Sequence, residues 1–228
     1  MILASHGIIA SSGMITTTLN ESLFAVYKAE SNANDSLSTY NATAQGGLTY
    51  ASGKDGNAFV YNGTNAYVSL PNNSLKLAGD FSFSLWFNAG VLSGFQCLIG
   101  NYTWESSYDR GFQLILDNAG MAFRVLGSSF ITLNASGSFT TNTWNHIVVT
   151  RKSATGTKIY VNGSLNNSNT STVDPIYAST HYNSIGVSKY NSTSFEYYFN
   201  GKMDETYFWN KELTSTEVTE LYTKYYPF

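Results

Sequence analysis

The stretch Phe81-Ser82-Phe83-Ser84-Leu85-Trp86-Phe87 decides the fold class of this chain. Large apolar residues occupy every second position, and a period of two is typical of a β-strand with one face on a core. Further short apolar segments follow this pattern along the chain, with turn residues between them. These strand candidates are Ala58–Tyr61, Ala66–Leu70, Phe95–Ile99, Phe112–Leu116, Met121–Leu126, Trp144–Thr150 and Lys158–Val161.

Turn residues between these segments predict how the strands connect. Asn62-Gly63 lies between two strand candidates, and Asn162-Gly163 follows a third. Asn-Gly suits the positive φ angles of a two-residue β-hairpin, so both dipeptides predict tight hairpins. Asp117–Gly120 predicts another hairpin between its flanking segments. Many short strands joined by tight turns predict an all-β fold, namely a two-sheet antiparallel jelly-roll sandwich.

One short helix is predicted near the C-terminus. Thr214 with Glu217 three residues later matches a capping box, in which each side chain accepts the other residue's backbone N–H. Apolar residues then recur at i, i+3 and i+4 from Val218, which gives the helix one apolar face. The pattern predicts a helix from 215 to about 224 that docks on the sandwich.

Residues 1–20 keep neither the alternation of a strand nor the i, i+3, i+4 spacing of a helix for long, which predicts an extended N-terminal arm. One jelly-roll domain at residues 21–228 is expected to follow it. Ordering such an arm costs roughly 1–2 kcal/mol of backbone entropy per residue, so contacts must compensate. We expect those contacts on a neighbouring subunit or another protein of an oligomeric assembly. The alternative is an additional strand on the chain's own sheet. The candidate partner-binding residues are Ile2, Leu3, Ile8 and Ile9.

Composition narrows the range of partners. Charged residues make up 12% of the 228 residues, and the net charge is −3 with no basic cluster. Nucleic acids and anionic membranes are bound through positive charge, so neither is expected as a partner. No segment approaches the roughly 18 apolar residues that indicate a membrane-spanning helix. The single cysteine, Cys97, lies in an apolar run, which favours a packed thiol over a reactive one.

Four parts of the chain carry a family resemblance. They are Phe24–Tyr27 with Ser31–Ser36, Gly53–Val68 with Phe81–Phe87, Trp144–Thr150 with Ile159–Gly163, and Phe199–Trp209 with Leu213–Tyr222. In this order they resemble the laminin-G-like jelly rolls of the concanavalin-A-like lectin and glucanase superfamily. The resemblance covers roughly residues 23–222 and implies the sandwich fold. It implies no single function, because this fold carries lectins, enzymes, adhesion modules and structural parts.

The resemblance also implies a structural calcium ion that ties an early loop to the final strand. On this chain it would place Asn32, Asp35 and Asp204 around the ion, since calcium prefers oxygen ligands. The residues themselves allow a second interpretation. Asn34-Asp35 would then form an Asx turn, and Asp204 would cap neighbouring backbone amides.

A cluster of aromatic residues between two strand candidates predicts a carbohydrate site. Tyr102, Trp104 and Tyr108 occur there with Arg110. Sugar rings stack on aromatic faces, while polar side chains hydrogen-bond the hydroxyl groups. The alternative is that this loop packs on its own aromatic side chains.

No catalytic arrangement is recognisable in the sequence. Glycosidases need two carboxylates that face one sugar, whereas the adjacent Asp204 and Glu205 point to opposite faces of a strand. His146 lies inside a strand candidate and is expected to be a packed group rather than a base. The sequence therefore predicts a protein that is not an enzyme.

The segment Ser5–Gly13 resembles short N-terminal stretches that open some tailed-phage virion proteins. This resemblance implies a structural or adhesion component of the virion, in the capsid or the tail. The arm would bind other virion proteins, and the loops would bind host-surface glycan. One alternative is a free carbohydrate-binding lectin of a bacterial cell surface, and another is a glycan-cleaving enzyme with unrecognised machinery.

Overall fold

The structure is a computed structural model that describes residues 17–72, 74–105, 108–117, 120–137, 139–177, 181–189 and 194–223. Within these residues, two antiparallel sheets pack face to face, a two-stranded sheet lies beside them, and two short helices complete the fold. The predicted all-β sandwich with one short C-terminal helix is confirmed. None of the described helices is long and apolar enough to cross a membrane.

The helices are α1 Thr17–Asn20 and α2 Ser215–Thr223. The strands are β1 Leu23–Tyr27, β2 Thr43–Gln45, β3 Thr49–Ser52, β4 Asn57–Asn62, β5 Tyr67–Leu70, β6 Phe81–Ala89, β7 Gln96–Glu105, β8 Tyr108–Asp117, β9 Gly120–Leu126, β10 Phe130–Ala135, β11 Trp144–Lys152, β12 Gly156–Val161, β13 Ser164–Asn169, β14 Asn183–Ile185, β15 Ser188–Lys189, β16 Phe195–Glu196 and β17 Asn200–Trp209.

Sheet A is built around β6 and β17. Its strand order is β13-β12-β11-β6-β17-β4-β3, and β1 also pairs with the second half of β17. The alternate apolar residues from Phe81 to Phe87 are fully buried in the core between the sheets. Ser82 and Ser84 on the other face of β6 are also buried, because α2 and its preceding loop cover that face. The strand is thus buried on both sides.

Sheet B packs against the inner face of sheet A. Its strand order is β10-β9-β8-β7-β14-β5-β2. Phe112 and Phe123 of sheet B meet Phe83 of sheet A, with ring centroids 6.0 and 5.6 Å apart. Burial of each such side chain stabilises the fold by about 1.5–3 kcal/mol, so this aromatic group is a major part of the core.

Two of the three predicted hairpins are confirmed. Strands β12 and β13 pair across Asn162-Gly163, whose φ angles are 49° and 78°. Strands β8 and β9 pair as far as Asp117 opposite Gly120. The φ angles of Asn162 and Gly163 are positive, as a two-residue hairpin that matches the twist of the strands requires.

The hairpin predicted at Asn62-Gly63 is wrong. Strand β4 belongs to sheet A and β5 to sheet B, so this turn carries the chain from one sheet to the other. Asn62 Oδ1 accepts the backbone N–H groups of Thr64, Asn65 and Ala66, each at 3.0 Å. These bonds close a local turn that needs no pairing between the flanking strands.

The predicted C-terminal helix is confirmed, with its capping box. The Glu217 N–H donates to Thr214 Oγ1 at 3.2 Å, and the Thr214 N–H donates to Glu217 Oε2 at 2.7 Å. Val218 and Leu221 on α2 are buried against the outer face of sheet A. Such a cap stabilises by about 1 kcal/mol and fixes where the helix begins.

Helix α1 packs on the same outer face of sheet A. Leu19 is fully buried beside Val26 and Trp209, and Trp209 Nε1 donates to the Leu19 carbonyl at 2.7 Å. Leu19, near the end of the predicted arm, therefore packs on the chain's own sandwich. Residues 1–16, with the four candidate partner-binding residues, lie outside the described part of the chain, and their anchoring role stays a prediction.

Candidate functional site

The outer face of sheet B, which points away from sheet A, carries the candidate site. The strand register places Tyr102, Gly111, Leu126 and Phe130 in one row across β7, β8, β9 and β10. Gly111 contributes no side chain to this row. Its φ is 102°, and an added Cβ would lie 1.6 Å from the Asn101 carbonyl oxygen, so only glycine fits.

A polar row lies beside it. Gln113 of β8 stands directly opposite Arg124 of β9. Both residues occur in strands whose other face supplies the core, as shown by the buried Phe112 and Phe123. The alternation of the strands therefore presents an amide and a guanidinium group on the outer face.

The small sheet of β15 and β16 lies over the same outer face. Gln113 Nε2 donates to Ser188 Oγ at 2.6 Å, and the Tyr197 carbonyl accepts the Cys97 N–H at 2.7 Å. The Tyr197 ring packs on a buried apolar cluster of Cys97, Ile115 and Ala122. We call the described residues 188–189 and 194–197 the crossing segment, because they cover part of this face.

A pocket of about 240 Å³ opens between the crossing segment and β10, and we call it the sheet B pocket. Sheet B supplies its base, and the crossing segment supplies one wall. Its described lining residues are Tyr102, Gln113, Arg124, Leu126, Phe130, Glu196 and Tyr197.

Aromatic rings surround the guanidinium group at the pocket. Arg124 Cζ lies 5.8 Å from the Phe95 ring centroid and 6.0 Å from that of Phe130. These two rings are 47% and 58% exposed, so they form a small exposed aromatic patch beside the guanidinium group. The Phe95 ring also lies 5.3 Å from the Tyr197 ring, so the aromatic group is continuous with the crossing segment.

Burial raises the pKa of both the pocket carboxyl group and the nearby thiol. Burial raises the pKa of Glu196, and a hydrogen bond from Tyr197 partly offsets that rise. Complete burial raises the pKa of the Cys97 thiol well above its usual range, with a smaller opposing effect of Arg124. Cys97 is therefore a packed, unreactive thiol, as the sequence predicted.

Of the four predicted carbohydrate-binding residues, the structure places Tyr102 in the sheet B pocket. Arg110 is half-buried and pairs with Thr103 in the ladder, outside the described pocket lining. Trp104 pairs with Asp109, and Tyr108 with Glu105, in the hairpin that continues from Tyr102. The side chains of Trp104 and Tyr108 lie outside what the structure describes, so their role stays a prediction.

Most of the residues that line the pocket were not predicted from the sequence. Gln113 and Arg124 could have been found, because each is a polar residue at an outward position of a predicted strand. Glu196 and Tyr197 reach the pocket only because the crossing segment folds over sheet B. No local pattern in the sequence reports that contact.

Asp35, the first predicted calcium ligand, is buried and bound by backbone amides. Its Oδ1 accepts the N–H groups of Val26 and Leu37 at 2.8 and 3.0 Å. Its Oδ2 accepts those of Thr39 and Tyr40 at 3.0 and 2.9 Å. A carboxylate offers about four lone-pair positions, so these four donors leave none for a cation in this arrangement.

Asp204 and Asn32, the other two predicted ligands, also accept hydrogen bonds from backbone N–H groups. Asp204 Oδ2 accepts the N–H groups of Lys54 and Asp55 at 2.8 and 3.1 Å, and its Oδ1 accepts that of Glu205 at 2.8 Å. Asn32 Oδ1 accepts the Asn34 N–H at 2.8 Å. The described residues include no group of three or more His, Cys, Asp or Glu arranged for a metal.

This donor set does not fit a calcium ion as it stands, and it matches the capping interpretation of both aspartates. The calcium site stays a prediction.

Asp204 and Glu205 form a buried acidic pair. Burial raises the pKa of Asp204 to about 7, against the opposing effect of the three backbone hydrogen bonds. Burial and the neighbouring Asp204 raise the pKa of Glu205 to about 8. Glu205 also has a positive φ of 47°, at an irregular point of the β17–β6 ladder. The pair lies in sheet A, away from the pocket.

His146 is a packed group, as the sequence predicted. It is buried, its Nε2 lies 2.7 Å from Ser84 Oγ, and its ring lies 4.9 Å from Trp86 and 6.0 Å from Tyr222. Burial lowers the pKa of His146 to about 3, so the ring is neutral at physiological pH. Helix α2 supplies Tyr222, whose ring stacks on both Trp86 and His146.

Comparison with known proteins agrees with this architecture. A laminin G family model, described as Concanavalin A-like lectin/glucanases superfamily, matches residues 62–219. A sequence search of curated proteins found no match. Among solved structures, domain 4 of AbnA, a GH43 extracellular arabinanase from Geobacillus stearothermophilus in complex with arabinotriose, is 21% identical with a TM-score of 0.73. That match covers 88% of this chain and 98% of that domain.

Two toxin binding domains are also similar. The binding domain of Paraclostridial Mosquitocidal Protein 1 is 17% identical with a TM-score of 0.69, over 90% of this chain and 52% of that one. The binding domain of Botulinum Neurotoxin DC in complex with SialylT is 16% identical with a TM-score of 0.67, over 91% and 53%. This chain therefore spans about half of each toxin binding domain. At these identities the likeness shows the fold alone.

The sheet order, the docked helix and the pocket on an outer face together define a lectin-like sandwich domain. The family model matches more than half of the sequence, from residue 62 to residue 219. The chain belongs to the concanavalin A-like lectin/glucanase superfamily.

Proposed function

We propose that this chain is a non-enzymatic glycan-binding module and that the sheet B pocket holds the sugar. One observation carries the proposal: the pocket combines a half-exposed aromatic ring, Phe130, with the Arg124 guanidinium and the Glu196 carboxyl group. Sugars have apolar C–H faces and polar hydroxyl edges, so a site for them needs both kinds of surface. The arabinotriose bound to the AbnA domain is consistent with this proposal for a similar sandwich.

The aromatic side chains would stack on the sugar ring, and the charged side chains would hydrogen-bond its hydroxyl groups. Phe130 and the neighbouring Phe95 offer apolar faces for stacking. Arg124 can only donate hydrogen bonds, whereas the oxygens of the Glu196 carboxyl group can accept them. A hydroxyl group can do both, so adjacent hydroxyls on one sugar ring can use the two side chains together.

Binding of a glycan panel by the purified protein, followed by titration calorimetry on the best ligand, tests this proposal. Arg124→Ala and Phe130→Ala should each weaken binding at least about tenfold, equivalent to about 1.4 kcal/mol. Leu165→Ala is the matched control, since Leu165 is 56% exposed on β13 of the other sheet. Unchanged affinity in both pocket variants, with unchanged melting temperatures, would place the sugar elsewhere.

We do not propose catalysis. Among the described lining residues, Glu196 is the single carboxylate, whereas glycoside hydrolysis by the usual routes needs two. Prolonged incubation with the bound glycan and analysis of reducing ends tests this point. Product formation that depends on Glu196 would move the protein to the class of glycan-cleaving enzymes.

We propose that the module belongs to a tailed-phage virion, with residues 1–16 bound to other virion proteins and the pocket directed at host-surface glycan. Its support is the resemblance of Ser5–Gly13 to virion proteins and the apolar residues of the arm. Antibodies against the sandwich should then label intact particles. Labelling of bacterial cell surfaces in particle-free cultures would instead favour a free surface lectin.

A further inference from the structure

The crossing segment limits the length of ligand that the sheet B pocket can accept. It lies on β7 and β8 through the Gln113–Ser188 hydrogen bond and the packing of Tyr197 on Cys97 and Ile115. The outer face of sheet B is therefore not one open groove across all its strands. A polysaccharide chain laid across the strands would meet this segment.

The size of the pocket supports the same limit. Its volume of about 240 Å³ lies below the roughly 300–1,000 Å³ of pockets that hold drug-sized ligands. A single pyranose or furanose ring is smaller than such ligands, so this volume favours one ring over several. Further sugar units would extend into solvent past the exposed rings of Phe95 and Phe130.

Charges around the pocket oppose an acidic sugar. Arg124 is the cation of the pocket lining, and its Nη2 already lies 3.9 Å from Asp117 Oδ2. Glu196 adds a second carboxylate. A ligand carboxylate that paired with Arg124 would be repelled by the carboxylates of Asp117 and Glu196 or would have to displace them. A neutral hydroxyl group would meet no such repulsion.

Hydrogen-bonding capacity points in the same direction. Gln113 is buried, and its amide nitrogen donates one of its two N–H groups to Ser188 Oγ, so the carbonyl oxygen and a second N–H remain at the pocket. The Gln113 carbonyl oxygen and the Glu196 carboxyl group are thus two hydrogen-bond acceptors in the lining, and hydroxyl groups of a sugar can donate to both. A carboxylate has no proton to donate to either of them.

We propose that the sheet B pocket binds one neutral sugar unit, either a free sugar or the terminal unit of a glycan. The inference rests on the proposed function and specifies its ligand class. Internal segments of a linear polysaccharide and sugars that carry a carboxylate are excluded from the pocket.

Ligand length is the first test. The best-binding neutral sugar is prepared as its methyl glycoside and as linear oligomers of two to six units. A site for one terminal unit predicts dissociation constants that agree within about twofold across the series, because added units make no contact. A groove would instead strengthen binding step by step with length, and a rise of about tenfold or more from monomer to hexamer would overturn the inference.

Ligand charge is the second test. The same methyl glycoside is compared with the analogue in which a carboxylate replaces the terminal hydroxymethyl group. The acid should bind at least about tenfold more weakly to the wild-type protein, and Glu196→Gln should reduce that difference, because it removes one repelling charge. Equal or tighter binding of the acid by the wild type would overturn the inference.

The outcomes separate the two proposals. Binding that grows with ligand length or prefers the acid removes this inference and leaves the glycan-binding function in place. Absence of binding to every sugar in the panel removes both proposals. Leu165→Ala again serves as the control variant, because it lies on the opposite sheet.

Discussion

Replacing Asp35 by asparagine should destabilise the domain strongly, and it should do so with or without calcium. The carboxylate is 2% exposed and accepts four backbone N–H groups, two on each oxygen. An amide keeps one oxygen, so two N–H donors would face an NH₂ group instead of an acceptor. The two remaining bonds would also lose the assistance of the negative charge.

The expected magnitude follows from these bonds. A hydrogen bond to a charged group contributes about 1.5–3 kcal/mol. Loss of two such bonds gives about 3–6 kcal/mol, a large part of the roughly 5–15 kcal/mol that stabilises a typical domain. Asn32→Ala is the control, because Asn32 is exposed and its Oδ1 accepts only one local N–H, from Asn34. We expect it to cost less than about 1 kcal/mol.

Urea unfolding at neutral pH, followed by tryptophan fluorescence, measures both variants with added calcium and with chelator. If Asp35 caps the backbone, Asp35→Asn lowers the unfolding free energy equally in the two conditions. If Asp35 holds calcium, wild type is more stable with calcium, and the loss in the variant disappears in chelator. A loss below about 1 kcal/mol in chelator would refute the capping argument.

Three further predictions concern other parts of the molecule. The pKa values of Asp204 and Glu205 are raised above their ordinary values, so the stabilising effect of their protonated forms is complete at acidic pH and lost as pH rises through about 7–8. Glu205→Gln should remove much of that loss, so the variant should be about 1–3 kcal/mol more stable than wild type at pH 9. The unfolding free energy of both proteins is measured as a function of pH, and parallel curves would contradict this prediction. Trp104→Ala should weaken glycan binding by about 1–3 kcal/mol without changing the melting temperature, whereas unchanged affinity would leave the hairpin outside the site. Deletion of Met1–Gly13 should abolish assembly but preserve the melting temperature, because Leu19 and its contacts remain. A far lower melting temperature of the isolated monomer would instead show that the arm is part of the sandwich of the same chain.

Local sequence patterns predicted the parts of the fold that local chemistry determines. The alternation from Phe81 to Phe87 identified the central strand, and Thr214 with Glu217 marked the start of α2 to the residue. Asn62-Gly63 shows the limit of such patterns. Asn-Gly specifies a turn, but the sheet that receives the next strand depends on distant pairings, here of β5 with β14 and β2.

The candidate site was less predictable for the same reason. Tyr102 was identified because aromatic residues are conspicuous between strand candidates. The pocket itself depends on Gly111 standing opposite Leu126 and on Tyr197 covering Cys97, both of which are register or packing relations between remote segments. Asp35 illustrates a different limit, since an aspartate in a polar loop has the same sequence signature as a metal ligand and as a backbone cap.

The positions of the two helices give the domain a front and a back. Helices α1 and α2 both lie on the outer face of sheet A, where Leu19, Trp209 and Val218 share one cluster. The sheet B pocket opens on the opposite side of the sandwich. A carrier attached at either end of the described residues would therefore lie on the sheet A side of the domain, opposite the sheet B pocket.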